Sequence, residues 1–287
     1  MRHSPARLPA MLAISISLVA ATAGAQNSTP SAGQTPAPAT GQQSPENEWL
    51  AKTASIYYSS AKAGLTGFTC DVHPDWRALF VSASKGADVS ASDPNLLELN
   101  KVKVRMHARM KGASTIEWLV DSSEGPPANS NTESVIDSMH QTVQQMLEGF
   151  MQFWSPFMEV SVVPNKADGL EITHTPATHT IHAKQGNTEL TEIFNGNLVL
   201  EHFDVALAGT TIKFAPTFES TPQGLLVKKF AADIRPAGAT PQQTQKMQVR
   251  VNYQTLNNQM IPGQVNMEIV GTGAFNFAFD GCSTETN

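Results

Sequence analysis

Apolar and polar residues alternate along the closing stretch of the chain, Val249 to Cys282. Val249, Val251 and Tyr253 form one run, Val265, Met267 and Ile269 a second, and Phe275, Phe277 and Phe279 a third. Their sequence neighbours are mostly polar: Arg250, Asn252 and Gln254, then Asn266 and Glu268, then Asn276 and Asp280. A period of two in β-branched and aromatic residues marks half-buried strands. Asn257-Asn258 and Gly271-Thr272-Gly273 separate the runs and tolerate the positive φ of tight turns. The pattern predicts a three-strand antiparallel meander with one apolar face, which needs a covering partner.

Upstream the period changes. Glu48–Lys62 carries Leu50, Ala54, Tyr57 and Ala61 at helical spacing, flanked by Trp49 and Tyr58, with Gly64 as terminator. Leu65–Val72 reads as a strand that His73-Pro74-Asp75 breaks; Asp75 then caps a short helix, Trp76–Ala83. Gly86–Pro94 reads as loop, Val102–Met110 alternates as a strand, Ser114–Val120 returns as another, and Glu124–Asn131 is loop. Thr132–Trp154 is the longest helix, with Val135, Met139, Val143, Met146, Leu147, Phe150 and Trp154 recurring at three and four. Asn131 or Thr132 is its expected cap, and Ser155-Pro156 ends it. Beyond it, strands are predicted over Glu159–Val163, Leu170–His174, Thr178–Ala183, Glu189–Phe194, Val199–Ala206, Thr211–Ala215 and Leu225–Ile234. Helices early and an antiparallel run to the C-terminus define an α+β chain, with Thr132–Trp154 the candidate lid over the sheet's apolar face.

The first residues look like a secretory leader: Arg2 and Arg7, the apolar core Met11–Ala21, and Ala23-Gly24-Ala25 as a small-x-small cleavage pattern. The alternative is an N-terminal membrane helix, for which the core is short. Gln26–Pro45 is rich in Ser, Thr, Pro, Gly, Ala and Gln without charge or large apolar residues, a composition that buries too little surface to order itself. The expected organisation is a leader over 1–25, a spacer over 26–46, and a single domain over 47–287, giving a periplasmic or secreted protein without a membrane anchor once cleaved near Ala25. The formal charge of −6 becomes −8 when Arg2 and Arg7 are lost, which argues against nucleic-acid binding. Cys70 and Cys282 are the only cysteines; in an oxidising compartment they pair most simply, at about 5 kcal/mol of loop-closure entropy, the alternative being two free thiols.

Chemistry is sparse. His174, His179 and His182 lie close in sequence, but Pro176 splits the first two, and His179 and His182 have opposite parity. No acidic or cysteine ligand stands within the cluster, so these read as polar strand and loop positions, and no metal or cofactor is expected. On a strand His202 and Asp204 share a face beside Glu201, a possible acid–base arrangement without an identifiable nucleophile. No familiar hydrolase, phosphate-loop or dinucleotide motif occurs, and no enzymatic activity is expected. Lys103, Arg105, His107 and Arg109 form a basic strand face that suits an anionic headgroup or plain solvation. The helix end Phe150–Met158, FMQFWSPFM, is rich in Met and Phe, as in ordinary core or in surfaces that accept varied apolar partners.

A helix leading into GLTGFTCDV, then PTFESTPQGLLVKKFAADI and the closing YQTLNNQMIPGQVNMEIVGTGAFNFAFDGC, resembles the periplasmic lipoprotein-carrier superfamily. The chain is similar also to exported proteins of acidobacterial type that share the closing pattern. The resemblance runs from about Glu48 to Cys282 in the order of elements; the helix at Trp76 and the cysteine pair depart from the simple carrier pattern. It implies a curved antiparallel half-barrel with helices over its concave face and an acyl chain between them. Combined with the residue pattern, it makes Met146, Phe150, Met151 and Trp154 on the helix, and Phe275, Phe277 and Phe279 on the sheet, candidates for lining a ligand pocket. The expected function is non-catalytic binding of a lipid or other apolar ligand, in envelope lipid or lipoprotein trafficking with an envelope protein partner. The alternatives are an interaction module with no small ligand and a hydrolase of unfamiliar type.

Overall fold

A computed structural model of the chain describes residues 44–83, 89–110, 112–119, 130–158 and 162–286. The expected leader, most of the expected spacer and most of the Glu124–Asn131 loop lie outside them. The strands are β1 (Leu65–Pro74), β2 (Lys103–Arg109), β3 (Thr115–Leu119), β4 (Leu170–His174), β5 (Thr178–Gln185), β6 (Thr188–Asn195), β7 (Leu200–Leu207), β8 (Thr210–Thr221), β9 (Gly224–Arg235), β10 (Gln245–Leu256), β11 (Gln259–Ile269) and β12 (Gly273–Thr286). The helices are α1 (Pro45–Ser55), α2 (Trp76–Ala83), α3 (Pro94–Leu99) and α4 (Ser130–Trp154), the last running into a 3-10 turn at Ser155–Phe157. The strands make one open sheet in the order β3-β2-β1-β12-β11-β10-β9-β8-β7-β6-β5-β4, antiparallel throughout. From β4 to β12 each strand pairs with its successor; β1 then joins the far side of β12. The α+β class with a dominant antiparallel sheet is therefore as the pattern predicts.

The period-two reading holds in the closing strands. Met247, Val249 and Val251 are buried while Lys246, Gln248, Arg250 and Asn252 are exposed, and Phe275, Phe277 and Phe279 are buried between the exposed Ala274, Ala278 and Asp280 and the half-buried Asn276. Asn257 and Asn258 both have positive φ, 48° and 64°, and join β10 to β11 as a tight hairpin. Cys70 and Cys282 form a disulfide that ties β1 to β12 across a bulge between the pairs Thr69↔Ser283 and Asp71↔Asp280.

Several boundaries differ from expectation, each for a local reason. Helix α1 begins at Pro45, because the Ser44 side chain accepts from the Asn47 amide and proline suits the first helical position. It stops at Ser55, because the chain next pairs with β9: Tyr58 N donates to Leu225 O (2.9 Å) and Leu225 N to Ile56 O (2.7 Å). Helix α3 was not predicted; Asp93 caps it and Pro94 opens it, a signal too short to show in periodicity. The strand expected over Glu159–Val163 does not form in its described part, since Val162 and Val163 lie in a bend. The strand expected over Thr211–Ala215 continues to Thr221, so Pro216 lies inside β8, and Pro262 lies inside β11. Each sits past the end of one neighbour's ladder, which closes with the pairs Phe203↔Phe214 and Gln264↔Ala278, so its missing N–H removes no bond there.

Candidate functional site

The C-terminal half of α4 meets the apolar face of the sheet through side chains. Trp154 stacks on Phe150 (centroids 5.5 Å apart) and meets Phe68 of β1 edge-on (6.2 Å). Its Nε1 donates to the Tyr253 hydroxyl of β10 (2.9 Å), which donates in turn to Val227 O of β9 (2.6 Å). Burial holds the Tyr253 hydroxyl well above the usual tyrosine range, so it stays a neutral donor. Phe153 meets Phe214 edge-on (5.5 Å), and Phe157 stacks on Phe230 (5.7 Å) beside Phe203, Phe214 and Phe218. Met139, Met146, Met151 and Met158 are buried in the same core as Met106, Met110, Met247 and Met267 of the sheet side.

The seven residues expected to line a pocket, Met146, Phe150, Met151, Trp154, Phe275, Phe277 and Phe279, are all buried in one continuous core. Phe150 and Trp154 are brought together, whereas Phe275, Phe277 and Phe279 lie on β12, against which α2 packs. The aromatic partners that the sequence reading missed are Phe203, Phe214, Phe218 and Phe230 on β7 to β9. Phe203, Phe214 and Phe230 fall in predicted strands and Phe218 beyond the predicted end at Ala215; their position against the end of this helix and the turn after it is not encoded locally.

A second cluster forms where α1 crosses β4, β5 and β6. The Trp49 ring lies against His174 (5.0 Å), His179 (5.3 Å) and Phe194 (5.9 Å). His174 and His179 pair directly across the β4–β5 hairpin, with their Nδ1 atoms 2.9 Å apart. Next along β6, Glu192 occupies the parity of Phe194 and sits opposite Ile181 and Phe203, on the apolar face. It is 4% exposed, and its Oε2 has no hydrogen-bond partner. Burial pushes its carboxyl up to about 8, so at neutral pH it is mostly protonated. The nearby Tyr57 hydroxyl donates to Leu198 O (2.8 Å) and accepts from Leu200 N (2.7 Å). Burial first, with the Glu192 charge adding to it, raises that hydroxyl above the usual range. The sequence reading passed over Glu192; a carboxylate in the register of Leu190 and Phe194 was the signal that marks it.

The other candidates resolve into surface chemistry. His182 points to the opposite face from His179, as its parity predicts, and bonds Thr191 Oγ1 (3.1 Å). Glu201 accepts from Asn195 Nδ2 (3.1 Å) at the β6–β7 irregularity and Asp204 pairs with Lys213 (3.3 Å), so Glu201 and His202 are exposed while the half-buried Asp204 is held in an ion pair. On the basic face of β2, Arg105 Nε bonds Asp71 (2.8 Å) and His107 Nε2 lies 3.3 Å from Glu117. The hydrogen bond from Arg105 holds the Asp71 carboxyl below its usual range. Neighbouring strands thus supply counter-charges for that face, which β2 alone could not reveal. His140 of α4 is stacked on Trp118 (4.1 Å) beside Trp76, and burial lowers its proton affinity.

Among the described residues no group of three or more His, Cys, Asp or Glu is placed to hold a metal, and no helix is long and apolar enough to cross a membrane. Comparison with known proteins finds no matching family model, no matching curated protein and no matching solved structure.

Proposed function

We propose that this is an exported, non-catalytic binding protein that holds an acyl chain or similar apolar ligand between the sheet and α4. In this reading the open sheet curls into a half-barrel and α4 is the lid on its concave side. The observation that supports it is the composition of the helix–sheet contact. Eight methionines and many phenylalanines are buried in one continuous core that α4 shares with an unclosed sheet. Methionine is flexible and polarizable, so a contact rich in it can part and repack around different apolar guests. The disulfide fits an oxidising compartment, in keeping with export.

The test pairs stability with cargo. Protein isolated from the envelope or medium without detergent is extracted for lipid, and Phe150→Ala and Trp154→Ala are compared with wild type in unfolding and in lipid retention. The expected outcome is copurifying acyl lipid that both variants lose, with destabilisation below the roughly 3–5 kcal/mol typical of emptying a packed core. Full core-like destabilisation, with no lipid in the wild type, sinks the carrier reading and leaves an interaction module whose interior is simply filled.

A further inference from the structure

We infer that His174, His179 and Trp49 form a binding site for a late first-row transition-metal ion, with Cu(II) the preferred occupant. The site is independent of any apolar ligand beneath α4. The two imidazoles stand directly opposite each other in the β4–β5 register, their Nδ1 atoms 2.9 Å apart. Two nitrogens bound to one metal at about 2.0–2.1 Å are separated by about 2.9 Å at a right angle and about 3.3 Å in a tetrahedron. The observed spacing therefore suits adjacent positions of a tetragonal ion, the geometry of Cu(II) and Ni(II), and copper binds nitrogen ligands most tightly of the divalent series.

Preorganisation comes from the hairpin. Thr175 N donates to Thr178 O (2.8 Å), Thr178 N donates to Thr175 Oγ1 (2.9 Å), and the two side-chain hydroxyls are 3.0 Å apart. Trp49 packs against both rings from the side of α1 through edge and tilted contacts. His174 is exposed and His179 half-buried, which leaves the far side of the pair open to solvent for the remaining water ligands. In the metal-free pair one Nδ1 carries a proton and donates to the other. On binding, that ring shifts its proton to Nε2, and both rings turn about χ2 so that the Nδ1 atoms, which face one another in the hydrogen bond, converge on the metal. With two protein ligands, the ion should remain exchangeable.

Cu(II) chloride titrated into the mature, disulfide-bonded protein tests this by calorimetry and tryptophan fluorescence. One equivalent should bind with quenching of the indole that touches both rings. His174→Ala and His179→Ala should each weaken binding about tenfold or more, whereas His182→Ala, on the opposite face, should leave it unchanged. Trp49→Phe should keep the stoichiometry and lose most of the quenching. A second measurement needs no variant: Cu(II) should broaden amide signals of Thr173–Thr180 and the Trp49 indole first. Wild-type affinity unchanged in the His174→Ala, His179→Ala double variant, or broadening centred elsewhere, overturns the site.

Discussion

Glu192 shows what one residue in the wrong register does. Its neighbours across the ladders are Ile181 and Phe203, neither of which offers charge or a hydrogen bond, and its Oε2 is unpartnered. The carboxyl therefore titrates near 8 in the folded protein against 4.5 when exposed. Below 4.5 both states hold the proton and stability is unaffected. Between 4.5 and 8 the folded state binds the proton and the unfolded state does not, so stability falls as pH rises through this window and levels off above it. Glu192→Gln should remove that slope and stabilise the protein at pH 8, by on the order of 3–5 kcal/mol at most. Denaturant unfolding of both proteins at pH 5 and pH 8 checks it. Parallel pH profiles mean the carboxyl is solvated or paired.

At the scale of elements, the join between the end of α1 and the start of β9 is the most sharply constrained. Gly224 has φ 123°, and a Cβ there would lie 2.8 Å from the Tyr57 carbonyl carbon and 2.8 Å from the Tyr58 nitrogen. Both are backbone atoms, so no side chain can move aside. Gly224→Ala should cost about 2–3 kcal/mol and should detach the Ile56–Tyr58 segment first. Hydrogen exchange at the Tyr58 and Leu225 amides, which bond Leu225 O and Ile56 O, should accelerate before the β10–β11 ladder is affected. Uniform acceleration, or none, counts against this. The same join explains why α1 ends earlier than its apolar spacing predicts: Tyr57 and Tyr58 continue the helical stripe but are claimed by β9 and β11. Tyr58 accepts from Met260 N (3.0 Å) and donates to Gln259 (3.4 Å). Tertiary pairing outweighs a helical preference worth tenths of a kcal/mol per residue.

For the whole molecule, the Cys70–Cys282 bond closes a sequence separation of 212 residues across the β1–β12 seam. That seam attaches the N-terminal strands β1 to β3 to a meander otherwise built from consecutive strands. Reduction should lower stability by up to about 5 kcal/mol, while the ladder between β1 and β12 keeps the fold assembled. Thermal unfolding with and without reductant should show one cooperative transition shifted downward. An unchanged midpoint means the bond adds nothing, and loss of the β1–β3 unit alone means the seam depends on it. The sequence by itself determined the α+β class, the strand parities of the closing meander, the Asn257-Asn258 hairpin and the cysteine pair. These follow from local period, turn chemistry and cysteine arithmetic. Only the tertiary structure decided that the end of α4 and the turn after it lie against Phe203, Phe214 and Phe230, that Asp71 and Glu117 answer Arg105 and His107 of β2, and that Trp49 meets His174 and His179. Parity states which face of a strand a side chain occupies. Which helix arrives over that face, and which charge stands across the ladder, depends on long-range register that no local period encodes.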